Sequence, residues 1–266
     1  MALHIEYFGD VTRLRMSSVM GRAIGLDVSA YVIRGVMIDT GFPRAAAEIA
    51  EAVRELGVTG AIITHWHEDH AGNVPLLAER GVPLLMRADT EAIVRNPPAL
   101  QLYRRAVWGG ARTITLPFVQ FDANSLEQIH APGHSSDHQA VFDRNTGTIF
   151  TGDLWLGVHV SVLHTAEDPY EIVNSLRRVV ALSPERMFDA HRGLVETPVR
   201  ALEAKAEWLT NTLGEVERRV DEGWSDSAIV DGLLGGKGRA DYASRFEYSR
   251  RNFVRAVRGR RPERAI

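Results

Sequence analysis

Three histidines and two acids fall within six positions in the segment Thr64-His-Trp-His-Glu-Asp-His70. Imidazole nitrogens and carboxylate oxygens are ligands for zinc and related metals. The segment directly follows an apolar run that predicts a strand, so His65 and His67 can point to one side of the turn that leaves it. Asp69 and His70, which we expect to start the next helix, can point to a neighbouring position. A single metal ion would not use all of these candidate ligands, so two adjacent metal ions fit them better.

Further ligand-type residues lie just beyond other predicted strands, namely His134, Asp153 and His191. Ligands at several strand ends are what a site on the rim of a sheet requires. A single histidine after a strand is more often structural or exposed than a ligand. The cluster at 65–70 is far less expected by chance, and together with its distant partners it predicts a metal site at a sheet edge.

These residues, in this order, resemble the motifs of the metallo-β-lactamase-fold hydrolases. The resemblance covers about residues 28 to 193 and comprises Asp39 in Met37-Ile-Asp-Thr-Gly41, the cluster at 65–70, His134 in Ala131-Pro-Gly-His-Ser-Ser-Asp-His138, Asp153 in Thr151-Gly-Asp, and His191. The set is specific for the fold and weakly specific for the substrate. It implies an α/β protein with a four-layer αβ/βα sandwich, whose site lies at one edge of two packed sheets.

Carried over position by position, the resemblance implies two divalent metal ions, zinc ahead of iron or manganese. It assigns to the first ion His65, His67 and His134, to the second Asp69, His70 and His191, and to both the bridging Asp153. Asp39 would accept a hydrogen bond that orients a ligand histidine. His138, four residues after His134, is a candidate for a similar supporting role.

Two metal ions about 3.5–4 Å apart can share a hydroxide and polarise a substrate oxygen. Asp69 would lie beside that hydroxide and orient it or carry a proton. The predicted activity is therefore metal-dependent hydrolysis of an ester, lactone or thioester carbonyl by a metal-bridging hydroxide. Two alternatives stay open: a phosphodiesterase or nuclease of the same fold, supported only by the arginine-rich stretch 245–264, and a protein similar to the mononuclear-iron sulfur dioxygenases.

Differences from the family motifs separate this chain from some members of the family. The chain has no cysteine, which separates it from β-lactamases that use a cysteine ligand, and His67 stands where the diiron flavoproteins have glutamate. Glyoxalase II-like thioesterases and lactonases are the members most similar in motif. Four residues outside the ligand set are candidates for the substrate pocket: His159, His164, Tyr103 and Trp108.

The elements that must position these residues alternate between strand and helix. A parallel βαβαβ unit is predicted. It begins with the second of two strands that are joined at Arg34-Gly35, and it comprises a helix over 44–56 and two further strands with a helix at 73–80 between them. Residues 88–113 read as an inserted helical flap, and strands resume at 112–116, 125–130, 139–142, 148–151 and 187–190. A helix is predicted over 169–182. Helical patterns over 198–222, 225–234 and 242–258 then suggest a catalytic domain at 1–197 and a helical extension at 198–266 packed on it.

Composition sets the remaining limits. The 266 residues are 45% hydrophobic with a net charge of −3, which excludes a disordered chain and disfavours a general nucleic-acid binder. The absence of cysteine excludes thiol nucleophiles and iron–sulfur clusters. No secretory signal or run of 18 apolar residues is found, so we expect a cytoplasmic protein without a membrane span. The expected partner is a small-molecule substrate, and a homodimer is left open.

Overall fold

The computed structural model of the chain describes residues 2–260 and contains two main β-sheets. The first sheet runs in the order β1 to β6, antiparallel from β1 to β4 and parallel from β4 to β6. Its strands are β1 Ala2–Phe8, β2 Val11–Ser17, β3 Val28–Ile33, β4 Val36–Ile38, β5 Gly60–Ile62 and β6 Leu84–Leu85. The parallel part confirms the predicted βαβαβ unit, because a crossover helix must return the chain to the same sheet edge.

The second sheet has five strands in the order β12-β11-β9-β8-β7. Its strands are β7 Leu126–His130, β8 Gln139–Asp143, β9 Thr148–Phe150, β11 Arg186–Asp189 and β12 Gly193–Val195. A separate two-stranded ribbon joins β10 Leu163–His164 to β13 Tyr248–Ser249. This ribbon ties the loop that follows Asp153 to the C-terminal part of the chain.

Ten α-helices lie in the part of the chain that the structure describes, and most cover the outer faces of the sheets. They are α1 Val19–Ala23, α2 Ala46–Glu55, α3 Val74–Glu79, α4 Ala88–Arg95, α5 Leu102–Val107, α6 Pro169–Val180, α7 Pro198–Asp221, α8 Asp226–Gly232, α9 Arg239–Ala243 and α10 Arg251–Gly259. Pro169 stands at the start of α6, where its missing N–H costs nothing, and Asp168 caps the first turn by accepting from Tyr170 and Glu171.

The core follows the period of two along the strands. In β3, Tyr31 and Ile33 face the second sheet and pack near Phe150 and Phe188, whereas Ala30 points the other way toward the helices. The first sheet is covered on its outer face by α2 and α3, and the second by α6, α7 and α10. The four layers confirm the predicted αβ/βα sandwich. The division at residue 197 stays a prediction.

Four details of the predicted elements were wrong or missed. Residues 112–116 form no strand, because Ile114 donates its amide to the carbonyl of Arg95 in α4 instead of to a strand. The helix expected over 242–258 is interrupted, since Arg245 and Phe246 adopt left-handed backbone angles (φ 53° and 66°) between α9 and β13. His70 lies in a turn, and α3 begins only at Val74. Strands β1, β2, β10, β12 and β13 were not anticipated.

Candidate metal centre

The predicted ligands converge because they follow strands whose ends meet at one rim of the sandwich. Asp39 follows β4 and the 65–70 cluster follows β5 in the first sheet. In the second sheet, His134 lies between β7 and β8, Asp153 follows β9, and His191 follows β11. Adjacent strand ends of two packed sheets therefore bring together side chains that are far apart in the sequence.

A first group of ligand atoms belongs to three buried histidines. His67 Nδ1 lies 3.0 Å from His65 Nε2 and 2.9 Å from His134 Nε2. The three nitrogens lie within 4.8 Å of one another, so one ion could contact all of them. Burial, reinforced by the neighbouring histidines, lowers the pKa values of His65 and His67 well below the ordinary range. Both rings are therefore neutral, as metal ligands must be.

A second group joins two histidines and two carboxylates. Asp153 Oδ1 lies 3.2 Å from His70 Nε2 and 3.3 Å from His191 Nε2. Asp69 Oδ2 is 3.8 Å and 3.7 Å from the same two nitrogens. The other oxygen of Asp153 lies 3.4 Å from His134 Nε2 in the first group. Asp153 thus stands between both groups and presents one oxygen to each.

The residues of the second group fit a bound cation. His70 Nε2 and Asp153 Oδ1 are buried and have no hydrogen-bond partner among the described residues, a costly condition that a metal ion would remove. Burial acts to raise the pKa of Asp153, but the positive charge of the protonated His70 and His191 rings outweighs it and holds the carboxyl well below its usual pKa, a role that a bound cation would take over. The carboxylate is therefore ionised, as the bridging position predicted for Asp153 requires.

The ligand histidines are oriented by outer contacts on their second ring nitrogens. His70 Nδ1 lies 2.8 Å from Asp39 Oδ2, and His134 Nδ1 lies 2.6 Å from Glu167 Oε1. His191 Nδ1 lies 2.5 Å from the carbonyl oxygen of Asp27. Such acceptors hold the proton on Nδ1 and leave Nε2 free for the metal. The contact expected for Asp39 is present in the structure.

His138 supports the bridging residue through the backbone. Its Nδ1 donates to the carbonyl of Ala131 at 3.0 Å, and its Nε2 accepts from the amide of Asp153 at 3.1 Å. Burial lowers the pKa of His138 to about 3, so the ring stays neutral and keeps this pair of hydrogen bonds. Its position next to Asp153 agrees with the supporting role predicted from the sequence.

Three further charged residues surround the ligands, through contacts with a ligand or with its chain neighbours, and were not anticipated. Glu68, between two ligands, forms a buried bidentate ion pair with Arg104 of α5, with both distances 2.7 Å. Glu167 joins His134 to the backbone amide of His164. Lys205 of α7 donates to the carbonyls of Leu154 and Trp155, just after Asp153. Of the three, only Glu68 lies within a motif that the sequence makes visible, the cluster at 65–70. Glu167 and Lys205 come from distant segments.

The four candidate pocket residues lie in different surroundings. His159 lines a cleft of about 520 Å³ together with Trp208 and Phe253, and it also borders a second cleft next to Arg192. His164 and Tyr103 both contact the carboxylate of Glu247. Trp108 is only 7% exposed and packs against Phe42 in the core, which places its ring away from a pocket surface.

Comparison with protein families identifies the class of protein. The model of the metallo-β-lactamase superfamily matches residues 23–191, so the chain belongs to that superfamily and is a metal-dependent hydrolase. The match contains every ligand position described above. Two solved structures share the fold: a metallo-β-lactamase from Pontibacter korlensis (TM-score 0.60, 19% identity, covering 79% of this chain and 100% of that one), and a metallo-β-lactamase family protein from Thermus thermophilus (TM-score 0.56, 19% identity, 87% and 86%).

Two relatives show greater sequence similarity. A β-lactamase-like protein 2 homolog from Drosophila melanogaster is 28% identical over 235 residues, which are 79% of this chain and 74% of the fly protein. An atrochrysone carboxyl ACP thioesterase from Paecilomyces divaricatus is 31% identical over 219 residues, 77% of this chain and 62% of the fungal protein. Within residues 2–260, no helix is both long and apolar enough to cross a membrane.

Proposed function

We propose that this hydrolase binds two divalent metal ions, most favourably zinc, and hydrolyses the acyl C–O bond of an ester or lactone or the acyl C–S bond of a thioester. The observation that carries the proposal is the placement of Asp153 between two separate ligand groups, with one oxygen directed to each. A mononuclear site needs only one of these groups. Metals bound there would polarise a carbonyl and lower the pKa of a water molecule.

The chain's own residues prepare the site for this chemistry. Asp69 is 8% exposed and stands beside His70 and His191, where its free oxygen can orient a water molecule or hold its proton. Both oxygens of Glu68 are already engaged by Arg104, so this carboxylate is not available to a water molecule. Asp69 is therefore the carboxylate we assign to proton transfer.

Similarity to the fungal thioesterase supports a carbonyl substrate. The alternative of a phosphodiesterase or nuclease rests on the arginine-rich end of the chain, which the structure accounts for in part by internal ion pairs. Arg251 and Arg258 both pair with Asp226, and Arg260 pairs with Asp168. Part of this positive charge is therefore neutralised within the protein. The compartment, the oligomeric state and the role of residues 261–266, which lie outside the described residues, stay predictions.

Metal quantification combined with a hydrolysis screen tests the proposal. We expect two metal ions per chain, and turnover of carboxylic esters, lactones or thioesters above that of phosphodiesters. The variant His65→Ala/His67→Ala should lose at least one metal ion and most of the activity. His4→Ala, which changes an exposed histidine on β1, is the matched control. One iron per chain without hydrolysis would favour a dioxygenase, and unchanged metal content in the double variant would refute the ligand assignment.

A further inference from the structure

Strand β1 is the longest edge strand of the two main sheets. It pairs with β2 on one side, and within residues 2–260 no strand lies on its other side. The other edges, β6, β7 and β12, are two, five and three residues long, and the Leu84 amide of β6 donates to the carbonyl of Val119. Natural sheets protect their edges by such shortness, by proline or lysine, or by a bulge. The seven residues of β1 include neither proline nor lysine, and their register to β2 is unbroken.

The hairpin geometry determines which main-chain groups of β1 point outward. Phe8 lies opposite Val11 across a two-residue turn, so this closing pair exchanges its hydrogen bonds within the hairpin. Alternation along the strand then directs the N–H and C=O groups of Leu3, Ile5 and Tyr7 away from β2. The hairpin of β3 and β4 also has a two-residue turn and leads to the same alternation across β2. These three residues therefore offer donors and acceptors at the open edge.

The same three residues form an apolar row on one face of β1. Leu3 lies opposite Met16 of β2, and Ile5 lies opposite Leu14, both of which pack in the core beneath the helices. Toward the turn the row becomes accessible, because Ile5 is 37% and Tyr7 is 71% exposed. A neighbouring strand with apolar side chains on the same face would extend this row and cover it.

The order of side chains along β1 is self-complementary about Ile5. A second copy of the strand can run antiparallel to the first with Ile5 opposite Ile5. Leu3 then lies opposite Tyr7, and His4 lies opposite Glu6. All three outward-directed residues exchange main-chain hydrogen bonds with their opposites, and on the other face each imidazole stands opposite a carboxylate. Glu6 already accepts from an arginine of β2, but 35% of its side chain is exposed and can accept from the imidazole as well.

We propose that β1 is a homodimer interface, in which two copies of this chain pair antiparallel about Ile5 and join their first sheets into one. A shift of the register by two residues would place His4 opposite His4 or Glu6 opposite Glu6. Either shift removes the imidazole–carboxylate pairs, and the second opposes like charges. A closed two-fold pairing covers both open edges, which explains why β1 lacks the usual edge protection. The ligand groups take no part in this interface, so it does not depend on the proposed hydrolysis.

Sedimentation velocity of the full chain at tens of micromolar tests the interface. We expect wild type to be mainly dimeric. Ile5→Lys places two ammonium groups opposite each other and should weaken dimerisation at least about tenfold, with unchanged far-UV circular dichroism. Ile5→Glu should be monomeric by itself, and its mixture with Ile5→Lys should restore a dimer because the two charges then attract. Val119→Lys is the matched control, because Val119 is 58% exposed beside the opposite edge of the same sheet, and it should remain dimeric.

A cysteine crosslink measures the register directly, since the chain has no cysteine of its own. Opposed Ile5 positions would have Cα atoms about 5.5 Å apart, so Ile5→Cys should oxidise to a covalent dimer. Tyr7→Cys is the control, because the two Tyr7 positions would lie four residues, about 14 Å, apart along the strands. A monomeric wild type, the result expected if the edge binds another protein, overturns the proposal. A dimer that survives Ile5→Lys, or equal crosslinking of both cysteine variants, also overturns it.

Discussion

Asp39→Asn is the substitution that most directly tests how the second ligand group is organised. The carboxylate accepts from the Thr64 amide at 2.7 Å, from Thr64 Oγ1 at 2.9 and 2.8 Å, and lies 2.8 Å from His70 Nδ1. Asp39 also has a φ of 60°, a conformation that asparagine tolerates. The variant therefore changes charge and hydrogen bonding while it keeps the backbone geometry.

An asparagine side chain has one acceptor and one donor end, so it cannot accept from Thr64 and His70 together. If its amide nitrogen faces His70, two donors oppose each other unless the imidazole proton moves to Nε2, the atom that the metal needs. A hydrogen bond to a charged acceptor contributes about 1.5–3 kcal/mol. Its loss corresponds to a metal affinity about 10- to 100-fold weaker, the range found when an outer acceptor is removed.

Competition with a chromophoric chelator at constant pH measures this affinity for wild type and Asp39→Asn. Asp143→Asn is the control, because Asp143 is also a buried carboxylate but pairs with Arg34 away from the ligands. We expect the control to lower stability and to leave metal affinity unchanged. Equal affinity of Asp39→Asn and wild type would refute the claim that Asp39 sets the tautomer of His70.

Three further predictions concern stability. Burial lowers the pKa of Lys205 from 10.5 to about 8, so the folded state releases this proton at a lower pH than the unfolded chain does. The free energy of unfolding should therefore rise by about 3 kcal/mol as the pH increases from 8 to 10.5. Urea titrations at pH 7.5 and 10.5 measure this rise, and Lys205→Met should abolish it. Glu68→Gln leaves the buried guanidinium of Arg104 without its counter-charge and should lower the free energy of unfolding by about 3–5 kcal/mol. The double variant Glu68→Gln/Arg104→Met should recover part of that loss. Additive effects of the two substitutions on the free energy of unfolding would contradict the pairing. Zinc at one hundred times its Kd should stabilise the protein by about 2.7 kcal/mol per site, and equal Tm values with and without EDTA would argue against a metal centre.

Much of the fold could be predicted because the signals are local. The apolar runs before Asp39, His65 and Asp153 have strand character, and the acids and histidines follow them directly. Helix α6 was predicted over 169–182 with Pro169 near its start. The interrupted C-terminal helix was not, because the apolar stripe that includes Phe246 has helical spacing, while the left-handed turn at Arg245 and Phe246 depends on the ribbon with β10.

The sequence by itself determined the chemistry of the ligands. The types and spacings of the histidines and acids after the predicted strands indicate which side chains would bind a metal. The tertiary structure decided which residues support that centre. Glu68 contacts Arg104 across 36 positions, His134 contacts Glu167 across 33, and Tyr103 contacts Glu247 across 144. No local pattern encodes these pairs, because each forms only when the inserted helices, the loop after Asp153 and the C-terminal ribbon pack against the two sheets.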